Sequence, residues 1–374
     1  MRGFLLIKIC QIEEGDSVSG DVIDYSPSVT KSQRAHGLDL LRAVLILIGI
    51  PYHTGLLLGG MDWVYNSVNH KSEIIPLLSS ISHLFRMEVF FFISGYFCYL
   101  VIEKKGEQFF WQNRLSKILI PLLTATLVVA IPQCWLVWRV SADHHVGSVV
   151  SHLWFLYCLF IISALVLKYH SRISQVVRLN IPVAAVILSV MAIMYGCVIA
   201  SKLIPAHFPL QLREYLKIPV LTVHYLPYFL LGYAFKAGAG WAKKWMSLPL
   251  WLSLSAYVLM NVFYFTFRDA SFFKFIKPTL EALIPLAAIP FIFNLFLWDG
   301  FKRSPLVDFI THSALVVYVF HHPFVILYGY LLDPQAMSAV AYYLSVIALS
   351  VLSSVSLYLL LRRIPAARLG FGIK

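Results

Sequence analysis

Apolar stretches about 20 residues long recur from Leu38 to Leu361. At 1.5 Å per residue, a helix of that length crosses the roughly 30 Å hydrocarbon core of a bilayer. Lipid offers nothing to hydrogen-bond an open backbone, so such segments must close their own hydrogen bonds as helices. Composition agrees. Of 374 residues, 59% are hydrophobic and 13% charged, with a mean hydropathy of +0.77. A soluble domain carries about 25% charged residues. An ordinary soluble enzyme, a disordered chain and a secreted disulfide scaffold are thereby excluded. The pattern predicts an all-α, polytopic membrane protein of ten spans: 38–58, 78–101, 116–138, 151–168, 182–201, 219–236, 248–267, 280–298, 308–331 and 338–361.

The net charge of +12 does not point to nucleic acid, because the basic residues sit at the ends of apolar spans. Lys and Arg crowd the N-terminal tail, the segments after even-numbered spans and the C-terminal tail. The alternate loops carry fewer than half as many. The positive-inside rule then puts both termini in the cytosol. Residues 1–36 read as a mobile cytosolic tail, 37–365 as one transmembrane domain and 366–374 as a cytosolic tail. The five cysteines lack metal-ligand spacing, so neither a disulfide nor a metal site is expected.

Function is sought among side chains that lipid penalises. Asp, Lys or Arg at a helix centre costs about 2.5–3.5 kcal/mol, so each must face a packed interior or a cavity. In span 1, Asp39 and Arg42 share a face and are spaced for an ion pair. His53 lies eleven residues beyond Arg42, three turns plus about 20°, which puts it on the same stripe roughly 16 Å further along. Pro51 is expected to kink this helix and free a carbonyl just before His53. Span 2 opens with His83, Arg86 and Glu88, the last two about 160° apart around the helix. Ser94-Gly95 predicts a close helix approach. His152, with Trp154 and Tyr157, reads equally well as an interfacial anchor. His321 and His322 point about 100° apart, so at most one should face a cavity squarely. Arg114 and Lys117, one turn apart ahead of Pro121, are suited to a phosphate-rich ligand, although the positive-inside rule also explains them.

Taken together, the Arg–ten residues–His spacing (Arg42, His53), the basic pair Arg114 and Lys117, and the ten-span layout resemble the acyltransferase-3 family. The strings GIPYH, FRMEVFFFISGYF, SHLWFL, YLPYFLLGYAF and VYVFHHPF narrow the likeness to its glucan-modifying branch, over about residues 36–365. The resemblance implies a bundle in the bacterial inner membrane that moves a succinyl group from cytosolic acyl-CoA to hydroxyls of periplasmic glucan. It also leaves room for contacts with glucan-synthesis enzymes. No permanently bound cofactor is implied; succinyl-CoA is a substrate. By likeness His53 is the essential histidine, Arg42 the arginine of its motif, and Arg114 the first of the donor-side pair. Lys117 stands where the family commonly has arginine, without a guanidinium's bidentate fork. His321 follows Tyr318 by three residues, as in the ninth-span motif.

The chemistry fits that likeness. A sugar hydroxyl needs a base, and imidazole is suited to the task. His53 is the expected base, with Asp39 and Arg42 at the cytosolic end of its channel and Arg114 and Lys117 on coenzyme A phosphates. Arg86 stabilises an oxyanion or holds the succinyl carboxylate, and Glu88 orients a neighbouring histidine. Two readings compete: O-acetylation of another envelope glycan, and a glycan transporter. No internal repeat supports transport, and no residue separates succinyl from acetyl.

Overall fold

The computed structural model describes residues 31–59, 61, 63–141, 146–297 and 304–373. In chain order the helices are α1 (Lys31–Leu47), α2 (Gly49–Leu57), α3 (Ile74–His83), α4 (Arg86–Lys105), α5 (Glu107–Arg114), α6 (Ile120–Ala125), α7 (Ile131–Val140) and α8 (Trp154–Lys168). They continue as α9 (His170–Val177), α10 (Val183–Lys202), α11 (Leu210–Lys236), α12 (Gly240–Met246) and α13 (Leu250–Phe267). The last four are α14 (Phe273–Leu297), α15 (Pro305–Leu332), α16 (Ala339–Leu361) and α17 (Pro365–Gly370). No strand occurs among the described residues. Among the described residues ten helical segments are long and apolar enough to cross a membrane, each overlapping one of the ten expected spans.

Proline accounts for irregular turns in the first and third spans. Pro51 lacks the N–H that would bond the Leu47 carbonyl, and the first span breaks there into α1 and α2, as expected. The third span carries two π-helical turns, Leu115–Leu119 and Thr126–Ala130. Each lies just ahead of a proline (Pro121, Pro132) whose ring opposes the carbonyl four residues back, and the wider turn relieves that clash. The second span is longer than expected, Ile74–Lys105, and breaks at Leu84–Phe85, so Arg86 opens a new helix.

At the centre is α4, buried from Arg86 to Gly95 and wholly apolar from Val89 to Ile93. It crosses α11 through two glycines. A Cβ at Gly95 would lie 1.8 Å from the Phe229 carbonyl oxygen, and one at Gly232 would lie 1.8 Å from that of Phe92. The expected close approach at Ser94-Gly95 is therefore backbone on backbone. Around it Phe91 stacks on Tyr225 at 4.6 Å, and Phe92 meets the rings of Trp245 and Phe293. Peripheral α10, α13 and α16 keep Leu188, Leu259 and Leu352 exposed, which suits lipid contact.

Of the expected N-terminal tail, residues 1–30 lie outside the described residues, and Lys31 onward belongs to α1. At the other end α17 packs on α6, with Phe371 and Ile373 buried.

A loop between α2 and α3 is pinned to the end of α15. Asp333 accepts hydrogen bonds from Tyr65 Oη (2.7 Å), Ser67 Oγ, and the backbone N–H groups of Val68 (3.1 Å) and Asn69 (3.3 Å). Burial alone would raise this carboxyl's pKa, but the donors together bring it below the usual carboxylate value. The native contacts thus favour the charged form. Their stabilisation is complete above the unfolded value near 3.9 and is lost as pH falls through the native value. Asp333→Asn should therefore lower the thermal unfolding midpoint at neutral pH, with a deficit that shrinks below about pH 4. Equal midpoints at pH 7 would show that the loop holds without the carboxylate.

Candidate active site

Four imidazoles meet beside α2. The ring of His53 lies 5.4 Å from that of His321 and 4.9 Å from that of His322. His322 stacks on His152 at 4.6 Å, nearly parallel. Trp63, carried by the loop that Asp333 pins, stacks on His53 at 5.7 Å and meets His322 edge-on at 5.2 Å.

Hydrogen bonds fix three of these rings in defined tautomers. Because a carbonyl only accepts, the ring nitrogen facing it must carry the proton. His152 donates through Nε2 to the Val319 carbonyl (2.9 Å), and His321 through Nδ1 to the Tyr318 carbonyl (2.6 Å). His322 Nδ1 faces Gln133 Oε1 at 3.1 Å, while Gln133 Nε2 donates to Ser151 Oγ at 3.1 Å. Each ring then has a bare nitrogen left over. His152 Nδ1 and His321 Nε2 are buried without a partner among the described residues, as is His53 Nδ1. The cluster is rich in lone pairs and poor in protons, which is what accepting a proton requires.

Proline again explains the geometry. Pro323 has no N–H for the carbonyl of Val319, four residues back, and that freed oxygen is the one His152 bonds. Tyr318 Oη donates in turn to the His152 carbonyl, tying the start of α8 to α15. Ser151, just before His152, sits at φ 25°, a left-handed conformation that costs a non-glycine residue about 1–3 kcal/mol.

These placements correct two expectations. His152 is not an interfacial anchor; it is buried inside the cluster. Both His321 and His322 approach His53, because two rings 100° apart on α15 flank a target lying between their directions. Sequence reasoning did not reach Trp63 or Gln133 at all.

Arg86 and Glu88 stand on the first turn of α4. The Arg86 guanidinium lies 5.2 Å above the Tyr52 ring, on which His83 also stacks at 4.6 Å. Glu88 points away and is met by His224 from α11, Nε2 to Oε1 at 3.4 Å. The expected histidine neighbour of Glu88 is thus His224, 136 residues away and beyond the reach of any local pattern.

The other expected residues lie at the far end of α1. Asp39 and Arg42 pair at 3.7 Å, and the Arg42 guanidinium rests between Phe90 and Phe97 at 5.5 and 5.6 Å. Arg114 is buried, 4.5 Å over the Phe110 ring, and has Arg42 as a charged neighbour. Lys117 does not share its face. The first π-helical turn intervenes, and Lys117 Nζ donates to the Gly372 carbonyl at 2.9 Å. The basic residue that acts on Arg114 electrostatically is thus an arginine of another span, where the sequence paired it with a lysine.

The fold and this interior of histidines and arginines define a polytopic α-helical membrane protein with buried polar side chains at its centre. Residues 35–359 match the family model described as an acyltransferase domain, and the chain belongs to that family, acyltransferase-3. Glucans biosynthesis protein C of Escherichia coli strain K12 is 28% identical, over 92% of this chain and 95% of its own length. The protein of the same name from E. coli O139:H28 gives the same figures. No solved structure matches the chain.

Proposed function

We propose that this protein is an O-acyltransferase of the bacterial inner membrane, both termini cytosolic, that moves a succinyl group from acyl-CoA to hydroxyls of a periplasmic glucan. The observation that carries the reading is the convergence of His53, His152, His321 and His322 inside an apolar bundle, three of them with a buried ring nitrogen that has no partner among the described residues. The 28% identity to proteins named for glucan biosynthesis supports the acceptor.

In this reading His53 takes the proton of the attacking hydroxyl, whose oxygen bonds the thioester carbonyl carbon. The tetrahedral adduct then collapses, the C–S bond breaks, and the proton passes to the departing thiolate. His321 and His322, fixed by their own hydrogen bonds, hold the His53 ring in place. Arg42 and Arg114 bind donor phosphates, since two neighbouring guanidiniums gain from a shared anion. Lys117 is a weaker candidate for that task because its ammonium already bonds Gly372. Asp39 holds Arg42. His53 lies eleven residues along α1 and α2 from Arg42, about 16 Å, so the donor's thioester arm reaches inward while its phosphates stay at the cytosolic face.

The test is transfer of isotopically labelled succinyl from succinyl-CoA to glucan by the purified full chain. Arg114→Gln should raise the KM for donor about tenfold, the effect of about 1.4 kcal/mol of lost binding, with kcat much less affected. An unchanged donor KM would remove Arg114 from the phosphate site.

A further inference from the structure

Arg86 is 6% exposed, and its Nη1 is buried without a hydrogen-bond partner among the described residues. It joins none of the ion pairs found among them. Glu88, two residues on, is turned about 160° around α4 and bonded by His224, so it does not neutralise the guanidinium by contact. The ring of Tyr52 supplies only a cation–π contact. A buried cation without an anion is costly, and such a group persists where a visiting anion completes it.

The position of Arg86 identifies the anion. A Cβ on Gly49 would lie 3.1 Å from Arg86 Nη1 and 3.8 Å from His321 Nε2, the second nitrogen that is buried without a partner. Gly49 is one helical turn before His53, about 6 Å along the same face. The guanidinium is therefore set back one turn from the expected base. An oxyanion forms beside the base and exists only during reaction. A second carboxylate on the acyl group would lie further off and is charged before chemistry begins, so it offsets the burial of Arg86 in the resting complex. In a four-carbon diacyl group the two end carbons stand roughly 4 Å apart, at about 1.5 Å per C–C bond, and a charge-assisted hydrogen bond of about 2.8 Å to the guanidinium extends that reach to the order of the Gly49–His53 offset. The planar fork of arginine also fits a carboxylate bidentately.

We infer that Arg86, with Gly49 leaving space beside it, reads the free carboxylate of a short dicarboxylic acyl group and so determines which acyl group is transferred. This inference rests on the acyl-transfer reading above, and it supplies the physical distinction between succinyl and acetyl that the sequence lacks.

The experiment compares succinyl-CoA with acetyl-CoA as donor, glucan as acceptor, for the purified full chain and for Arg86→Gln and Gly49→Ala. The unaltered protein should favour succinyl. Arg86→Gln should lose about 100-fold in kcat/KM with succinyl-CoA and only a few-fold with acetyl-CoA. Gly49→Ala, which pushes on Nη1 without removing the charge, should shift the preference the same way by about tenfold. It also serves if Arg86→Gln does not fold. Equal losses with both donors would overturn the inference and move Arg86 to the reacting centre; so would retention of full succinyl transfer. If the unaltered protein uses neither donor, the acyl-transfer reading itself fails, and this inference with it.

Discussion

His53→Gln is expected to lower glucan acylation by about 10²–10⁴-fold, the usual worth of a positioned general base, while the protein stays folded and inserted. Glutamine keeps polarity near the neighbouring rings but accepts no proton at neutral pH. His53 also stacks on Trp63 and borders His321 and His322, so its loss removes the point on which three elements converge. Substitutions at the flanking rings should cost less. His321 and His322 already spend one nitrogen on Tyr318 and Gln133, which suits them to orienting His53. Gln133→Leu should accordingly reduce kcat with little change in donor KM, because it frees the His322 ring to rotate. Activity after His53→Gln equal to that of the unaltered protein would eliminate the general-base role.

The largest effect on stability is expected at Gly95 and Gly232. Filling a core with one methyl normally costs about 1–3 kcal/mol, since side chains can rearrange. Here the obstruction is backbone: a Cβ on either glycine would stand 1.8 Å from a carbonyl oxygen of the opposite helix. The only relief is to move α4 away from α11, and α4 lies at the centre of the bundle. Gly95→Ala and Gly232→Ala should each abolish recovery of monodisperse protein after detergent extraction. Gly196→Ala, at a glycine with open space around it, should be recovered normally. A well-folded Gly95→Ala protein with an unchanged melting midpoint would mean that the crossing is looser than described.

Much of this architecture was legible from the chain alone because the bilayer writes a coarse code. Twenty apolar residues make a span, and some prolines mark its irregular turns: Pro51 at the α1–α2 break, and Pro121 and Pro132 after the two π-helical turns. Polar groups that lipid penalises were legible for the same reason, which is how Arg42, His53 and Arg86 stood out. The partners of these residues were not legible. His152 joins His322 across more than 160 residues, and His224 meets Glu88 across 136. No local periodicity encodes such pairings. One signal was present and went unread. Pro323 frees the carbonyl of Val319, so a hydrogen-bond donor had to be found for it, and a histidine beside the interior was the natural supplier. The pairing of Arg114 with Lys117 failed for a local reason, since an α-helical face does not persist through a π-helical turn.

In the proposed reaction an imidazole inside the bundle deprotonates a glucan hydroxyl so that an acyl group can be attached to it. Mass spectrometry of periplasmic glucans tests it most directly, in cells lacking the gene and complemented with either the unaltered chain or His53→Gln. Glucans should carry the succinyl mass increment only with the unaltered chain, with both proteins present equally in the membrane. Glucans equally acylated in the two complemented strains, or bare in both, would contradict it.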